Sequence, residues 1–471
     1  MSLSKAAQMR ASEFRVHALY ASLLLIISCV RVEAGYRAQT TSLTNLIVPG
    51  AQWRDTDGNV ISAHGGGIVH VNNTFYWVGG SVGCCEGTAL YSSPDLTTWT
   101  NHGIVYANDV SRPKLVFSET TGMWQILGQV GRQLDVASSA NILGPYSEVG
   151  PPISPFGVGF TDFGLFLDDD GEAYALYSAD HNNLVLSQIS PSRTNFTKVM
   201  HQFNGVGLES PAMFKDGSTY FVIASHKTAY MHNNNVMYSA QSLTGPWSVQ
   251  SYIAPSGTRT WNTQSTFALT IAGSVKTTHL YLGDRWVYPD LQNSTYVWLP
   301  MTIDQATKGV QAAWTDVFAL DTETGVVSVP QGTKYEAEAG KVTGSASVAS
   351  CATCSGNQLV TGIGATSTLT INNVTGRGEP QWVSFHYINT DGLFGDLTLT
   401  DNQTLALTKQ RNATVALNGG TPMALPQYDT NAGIVMSVPL QLNLTLGNGN
   451  AITVASIDRQ VAGDLDYIMV Y

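Results

Sequence analysis

The chain has 471 residues, 45 of them glycine, with only 12% charged and a formal net charge of −11. That length exceeds one ordinary core, and scarce Glu, Lys and Arg beside abundant Gly, Ser, Thr, Val and aromatics exclude a helical protein and favour an all-β one. An acidic balance without a basic run excludes nucleic acid and anionic membrane as partners.

At the N-terminus, Lys5, Arg10 and Arg15 precede an apolar stretch from Ala18 to Val30, and Val32-Glu33-Ala34 before Gly35 has the form of a small-residue cleavage site. Residues 1–34 are expected to be a signal peptide and the protein secreted; the stretch is short for a membrane anchor. Loss of this segment moves the net charge from −11 to about −13. Sequons at Asn72, Asn195, Asn293, Asn373, Asn402, Asn412 and Asn443 fit a glycosylated extracellular protein. Cys29 leaves with the signal. Of the remaining cysteines, Cys351 and Cys354 are near enough to pair, and the adjacent Cys84 and Cys85 would close a small strained ring. Zinc would need further ligands nearby, and there are none.

Between residues 60 and 320 a cassette of two strand-like segments recurs. It reads Phe75 to Gly79 then Ala89 to Ser93, Met123 to Ile126 then Val136 to Ser139, and Ala173 to Tyr177 then Leu184 to Ser187. It continues as Thr219 to Ile223 then Val236 to Ser239, and Leu280 to Gly283 then Thr295 to Leu299. Fivefold recurrence of an all-strand unit predicts a five-bladed β-propeller over 35–320. Residues 321–334, ending Val329-Pro330-Gln331-Gly332, read as a linker. Short alternating strands rich in Thr, Asn, Leu and Val predict a β-sandwich, a jelly roll, over 335–471.

Inner strands of a propeller gather side chains from distant parts of the chain around one pocket. Glu209, in Leu208-Glu209-Ser210-Pro211-Ala212-Met213, is a lone carboxylate in an apolar run, where desolvation raises the pKa and favours a general acid. Asp162, in Gly159-Phe160-Thr161-Asp162-Phe163-Gly164, has similar surroundings. Two buried carboxylates are the usual apparatus of glycoside hydrolysis, though capping of backbone amides would account for them equally well. Asp168-Asp169-Asp170-Gly171 reads as a solvated turn.

These pieces resemble glycoside hydrolase family 43, most closely its exo-β-1,3-galactanase branch. The matching residues are Trp53-Arg54-Asp55-Thr56, Ala63-His64-Gly65-Gly66-Gly67-Ile68, Arg112-Pro113-Lys114, Asp162-Phe163-Gly164, Glu209-Ser210-Pro211, Ser225-His226, Gln264-Ser265-Thr266-Phe267 and Gly283-Asp284-Arg285-Trp286. The resemblance implies an inverting hydrolase acting on β-1,3-galactan of plant cell-wall arabinogalactan, with Glu209 as acid, Asp162 raising and orienting it, and no cofactor in catalysis. Most of the family carries an aspartate base on the first blade. Here His64-Gly65-Gly66-Gly67 offers none, and Gln264 matches the branch's water-positioning glutamine. Other family 43 activities, on arabinan or xylan, and a silent glycan-binding propeller are the competing readings. Ser111 and Gly80 stand where the branch has glutamates that bind the terminal galactose, and Glu86 beside Cys84-Cys85 offers a replacement carboxylate.

Arg112 and Asn183 are candidates for hydrogen bonds to sugar. His226, Tyr230, Trp261 and Trp286 are either pocket residues or core. The C-terminal part resembles carbohydrate-binding module family 35, through Tyr335-Glu336-Ala337-Glu338, Cys354-Ser355-Gly356, Tyr387-Ile388-Asn389 and Leu465-Asp466-Tyr467-Ile468. That resemblance implies a structural calcium held by Glu336, Glu338 and Asp466. The protein is expected to work as a monomer.

Overall fold

The computed structural model describes residues 45–82, 86–390, 393–398, 404–408, 411–430, 433–457 and 461–471. The expected signal peptide, the Cys84–Cys85 pair and Asn402 lie outside the described residues.

The protein is all-β, with only short single turns of helix among the described residues. Five four-stranded antiparallel sheets follow one another along the chain. The first holds β1 (His64–Val71), β2 (Thr74–Gly80), β3 (Thr88–Ser93) and β4 (Thr100–Tyr106). The second holds β5 (Ser111–Ser118), β6 (Met123–Val130), β7 (Gln133–Ser139) and β8 (Ser147–Glu148). Next come β9 (Phe160–Leu167), β10 (Ala173–Ala179), β11 (Asn183–Ile189) and β12 (Phe196–Phe203). The fourth is β13 (Leu208–Asp216), β14 (Thr219–His226), β15 (Val236–Ala240) and β16 (Ser251–Tyr252). The fifth is β17 (Gln264–Ala272), β18 (Thr277–Arg285), β19 (Thr295–Ile303) and β20 (Val310–Ala312). The recurring cassette marks the second and third strands of each sheet.

The strands β1, β5, β9, β13 and β17 each neighbour the next, and β17 neighbours β1, so the sheets close a ring. Both faces of each sheet are covered, which is why the central strands read as unbroken apolar runs. Along β14, Phe221 and Ile223 enter the core shared with the fifth sheet, while Val222 and Ala224 enter the core shared with the third. The seam between the fifth and first sheets is aromatic: Trp53, Trp77, Trp99, Tyr296 and Trp298 meet there. Ile47 bridges Phe318, tying the start of the described chain to the end of the ring.

Every inner strand is irregular near its start. The register shifts after His64, Ser111, Glu209 and Ser265, and between Thr161 and Gly164. Arg112, Asp162 and Ser210 take φ of 54°, 56° and 55° at these bulges. A bulge re-aims a side chain that the two-residue period of a strand would bury in a seam. The strands also approach closely, and a Cβ on Gly164 would stand 2.1 Å from the Pro211 carbonyl oxygen.

The expected linker is structured. Ala319–Leu320 pairs with Val327–Ser328, and Thr333–Glu336 is already a strand of the following unit. Among the described residues that unit comprises two larger antiparallel sheets and a two-stranded one, Leu393–Thr398 with Thr404–Thr408. Of the larger two, one runs Ser347–Ser350, Gln358–Thr361, Asp464–Val470, Pro380–Ile388, Met436–Asn443; the other Lys341–Val342, Leu369–Gly376, Gly447–Ser456, Arg411–Leu417, Met423–Gln427. Residues of both, such as Phe385, Ile468, Ile371 and Val454, share one core. Cys351 and Cys354 are bonded, with Cα atoms 5.4 Å apart. No helix among the described residues is long and apolar enough to cross a membrane.

Candidate active site

A cavity of about 670 Å3 opens where the inner strands begin, within the usual size of a ligand site. Glu209, Asp162, Gln264, Ser111, Arg112, Tyr230 and Trp286 all line it. The structure brings together sequence positions more than 150 apart because each bulge turns one side chain off its sheet.

Gln264 is the hub. Its Oε1 accepts hydrogen bonds from Arg112 Nη2 at 2.7 Å and Trp286 Nε1 at 2.9 Å. Guanidinium and indole N–H groups can only donate, so the amide orientation is fixed. Nε2 therefore points at Glu209 and donates to Oε1 at 2.7 Å. A proton held by Glu209 must then sit on Oε2.

Burial, and then the charge of Asp162, push the Glu209 carboxyl up to about 8. Burial would raise Asp162 too, but the Arg112 and Lys227 charges outweigh it and hold that carboxyl below its ordinary value. Lys227 Nζ donates to Asp162 Oδ2 at 3.2 Å and stands 3.9 Å from Glu209 Oε2. Arg112 Nε lies 3.5 Å from Asp162 Oδ1. The arrangement keeps one acid protonated and its neighbour ionised near neutral pH, which is how two carboxyls take different roles.

Sequence reasoning missed Lys227, although it directly follows the recognised Ser225-His226. It also passed over the support beneath the first strand. His64 Nδ1 stands 3.1 Å from Asp284 Oδ1, and Asp284 Oδ2 accepts from Gly65 N at 2.8 Å and Thr266 Oγ1 at 2.6 Å. Lys114, fully buried beneath the site, donates to the Gly65 carbonyl at 2.6 Å.

Some expected site residues stand elsewhere. Asn183 does not line the cavity; its Oδ1 accepts from Gly205 N at 2.8 Å. His226 is also off the lining, its backbone N–H given to Asn233 Oδ1 at 3.1 Å. Trp261 faces Trp314, with ring centroids 5.8 Å apart, and its Nε1 donates to the Ala312 carbonyl at 2.7 Å. It belongs to a left-handed turn, Arg259–Asn262, that swings the ring away from the pocket. Left-handed geometry costs roughly 1–2 kcal/mol per non-glycine residue. Asp168 is no solvated turn residue either: it is buried, bonded to Lys215 Nζ and Tyr220 Oη at 2.7 Å each, and ties the third sheet to the fourth. Gly80 and Ser111 border the cavity beside Glu86 and Asp109, which bring carboxylates to that end.

In the C-terminal unit, Ser355 N donates to Asp466 Oδ1 at 3.0 Å and Ser355 Oγ to Glu336 Oε1 at 2.7 Å. Burial, with the Glu336 and Glu338 charges, pushes Asp466 up to about 6. Glu336 Oε2 and Glu338 Oε2 are buried without a hydrogen-bond partner. Among the described residues no His, Cys, Asp and Glu side chains are drawn together as a finished metal centre. The orphaned oxygens and all-oxygen donor set nonetheless fit a hard cation.

A cleft holding one protonated and one ionised carboxyl, on an all-β ring, is the equipment of a glycoside hydrolase. The profile of Glycosyl hydrolases family 43 matches residues 62–268. An exo-β-1,3-galactanase from Phanerochaete chrysosporium, solved with β-1,3-galactotriose, is 35% identical over 91% of this chain and 100% of its own, with a TM-score of 0.81. The same enzyme solved with galactose gives 0.80 at the same identity and coverage. An exo-β-1,3-galactanase from Clostridium thermocellum, 18% identical over 90% of this chain and 99% of its own, shares the fold at a TM-score of 0.58. Among curated proteins none matches. The chain belongs to glycoside hydrolase family 43 and is a glycoside hydrolase.

Proposed function

We propose that the protein is a secreted, inverting exo-β-1,3-galactanase that releases galactose from the β-1,3-galactan of arabinogalactan. The observation carrying this reading is the fixed Gln264 amide, which leaves the proton of Glu209 on Oε2. Glu209 is the general acid that protonates the glycosidic oxygen. Ionised Asp162 keeps that proton in place. Gln264, on the first strand of the fifth sheet, takes over the water-positioning task that an aspartate base on the first blade performs in other family members. A neutral amide removes protons poorly, so its part is to hold the attacking water, through the N–H that makes only a long 3.4 Å contact with the Ala229 carbonyl. The likeness to a galactanase bound to β-1,3-galactotriose supports the substrate class. Glu86 and Asp109 are the acceptors that replace the glutamates absent at Gly80 and Ser111.

The ring of five sheets is read as a five-bladed propeller over 35–320. The C-terminal unit, 335–471, is read as a jelly-roll carbohydrate-binding module whose calcium is held by Glu336, Glu338 and Asp466. Such an ion would join the module's first and last strands and plays no part in hydrolysis. Secretion and glycosylation rest on the N-terminal segment and on the sequons, whose described asparagines are all exposed.

The test is incubation of the purified protein with β-1,3-galactan, arabinan and xylan. Galactose should appear from the first alone, initially as the α-anomer by nuclear magnetic resonance. Glu209→Gln should abolish release while substrate binding persists. Binding without release by the unaltered protein would make it a lectin, and a fully active Gln264→Ala would remove that residue's assigned part.

A further inference from the structure

Gln264 follows a turn of unusual hand. Arg259, Thr260, Trp261 and Asn262 have φ of 51°, 50°, 59° and 54°, four successive non-glycine residues in the left-handed region. Such a segment persists only where its surroundings over-determine it. Part of the restraint comes from the ring itself. Thr260 Oγ1 accepts from Asn235 N at 2.7 Å, and the Trp261 carbonyl accepts from Arg285 Nη2 at 2.8 Å.

The remainder comes from the C-terminal unit, through Tyr428, Asp429 and Met436. Asp429 Oδ2 pairs with Arg259 Nη1 at 2.9 Å, at the first residue of the turn. Asn262 Nδ2, at the last, donates to the Asp429 backbone carbonyl at 2.9 Å and touches Met436 Sδ at 3.7 Å. One residue thus grips both ends of the turn, and Asp429 and Asn262 are both buried. Arg285 adds a second link. Its guanidinium lies 5.0 Å from the Tyr428 ring, and the next residue, Trp286, holds the Gln264 oxygen.

From this geometry we infer that Asp429 is a positioning residue for Gln264, so that the C-terminal module supports the active site of the ring, whatever sugar it binds on its own account. Asp429 does not line the cavity. It acts by holding the left-handed turn that sets where β17 begins, and with it the amide that meets Glu209. The inference rests on the proposed hydrolase reading for its kinetic readout, but the clamp can be tested without it.

The experiment uses the full chain with β-1,3-galactotriose as substrate. Asp429→Ala should lower kcat about tenfold or more while KM stays within about twofold, since small displacements of a reacting group cost rate rather than binding. Asp429→Asn, which keeps the side-chain shape and an oxygen facing Arg259, should lose less. On a Gln264→Ala background the same Asp429→Ala change should cost nothing further, because the two act through one group. Amide hydrogen exchange of the ligand-free proteins gives the activity-independent arm. Asp429→Ala should speed exchange in peptides spanning 258–266 and leave those from β5 and β9 unchanged. Unchanged kcat, equal losses on both backgrounds, or unaltered exchange over 258–266 would each overturn the inference. Faster exchange everywhere would also overturn it, since that means module docking and not a local clamp. Absence of galactose release by the unaltered protein would refute the hydrolase reading and leave exchange to decide the clamp.

Discussion

At the scale of single residues, the pair Glu209 and Asp162 makes a definite statement about pH. The acid must be protonated to work, so activity should fall as pH rises through the Glu209 value of about 8. Asp162, held low by Arg112 and Lys227, stays ionised throughout that range. Its negative charge is one of the two causes that raise Glu209. Asp162→Asn should therefore move the alkaline limb of the kcat/KM profile to lower pH by about one unit, besides slowing the reaction. A limb that stays in place would show that burial alone sets the acid. Lys227 works in the opposite sense, since its charge lowers Glu209. The acids were legible in the sequence because a charge placed in an apolar run is costly to desolvate and persists where it has a task. Lys227 was not, because its significance is its 3.2 Å approach to a side chain 65 positions earlier. Trp261 carried a misleading signal: an aromatic near the pocket in sequence, turned outward by a backbone hand that no propensity encodes.

At the scale of elements, periodicity identified the sheets and not the site. The second and third strands of each sheet recur because both their faces are buried. The inner strands matter for the opposite reason, because each breaks its own register. The bulges at Arg112, Asp162 and Ser210 involve no glycine at the positive φ, so composition gave no warning of them. In the C-terminal unit the informative elements are the terminal strands. Thr333–Glu336 pairs with Asp464–Val470, bringing Glu336 and Asp466 to the same end of the sheet. The orphaned oxygens of Glu336 and Glu338 and the raised Asp466 carboxyl are destabilising unless a cation is shared among them. Millimolar calcium should raise the melting temperature of the intact protein by at least about 2 °C, on the order of 1 kcal/mol of linked binding energy. The gain should shrink below pH 6, where Asp466 takes up a proton, and vanish in Asp466→Asn. A calcium response equal in that variant would place the ion elsewhere.

At the scale of the whole molecule, the two units are joined by buried polar contacts and not by an apolar seam alone. Asp316, just beyond the last strand of the ring, is buried and accepts from Trp314 Nε1 at 2.9 Å on its own side. From the C-terminal unit it accepts from Ser437 Oγ at 2.6 Å and Tyr471 Oη at 3.1 Å, with His386 Nε2 at 2.7 Å. Burial would raise this carboxyl, but His386 and the other donors hold it below its ordinary value. A depressed carboxyl stabilises the fold above its unfolded pKa, and that contribution is lost as pH falls through the folded value. The joint should thus hold at neutral pH and loosen in acid. Asp316→Ala would leave several buried donors without an acceptor at once, which costs about 3–5 kcal/mol when one partner of a buried pair is removed. Because that energy lies between the units, its loss should change cooperativity as well as stability. Calorimetry of the unaltered protein should give a single unfolding transition at pH 7, and Asp316→Ala should give two, the separation persisting in the presence of calcium. A variant that melts in one transition at an unchanged temperature would mean that the units are coupled elsewhere, with Arg259–Asp429, Asn262–Asp429, Trp314–Ser437 and Arg285–Tyr428 among the other links.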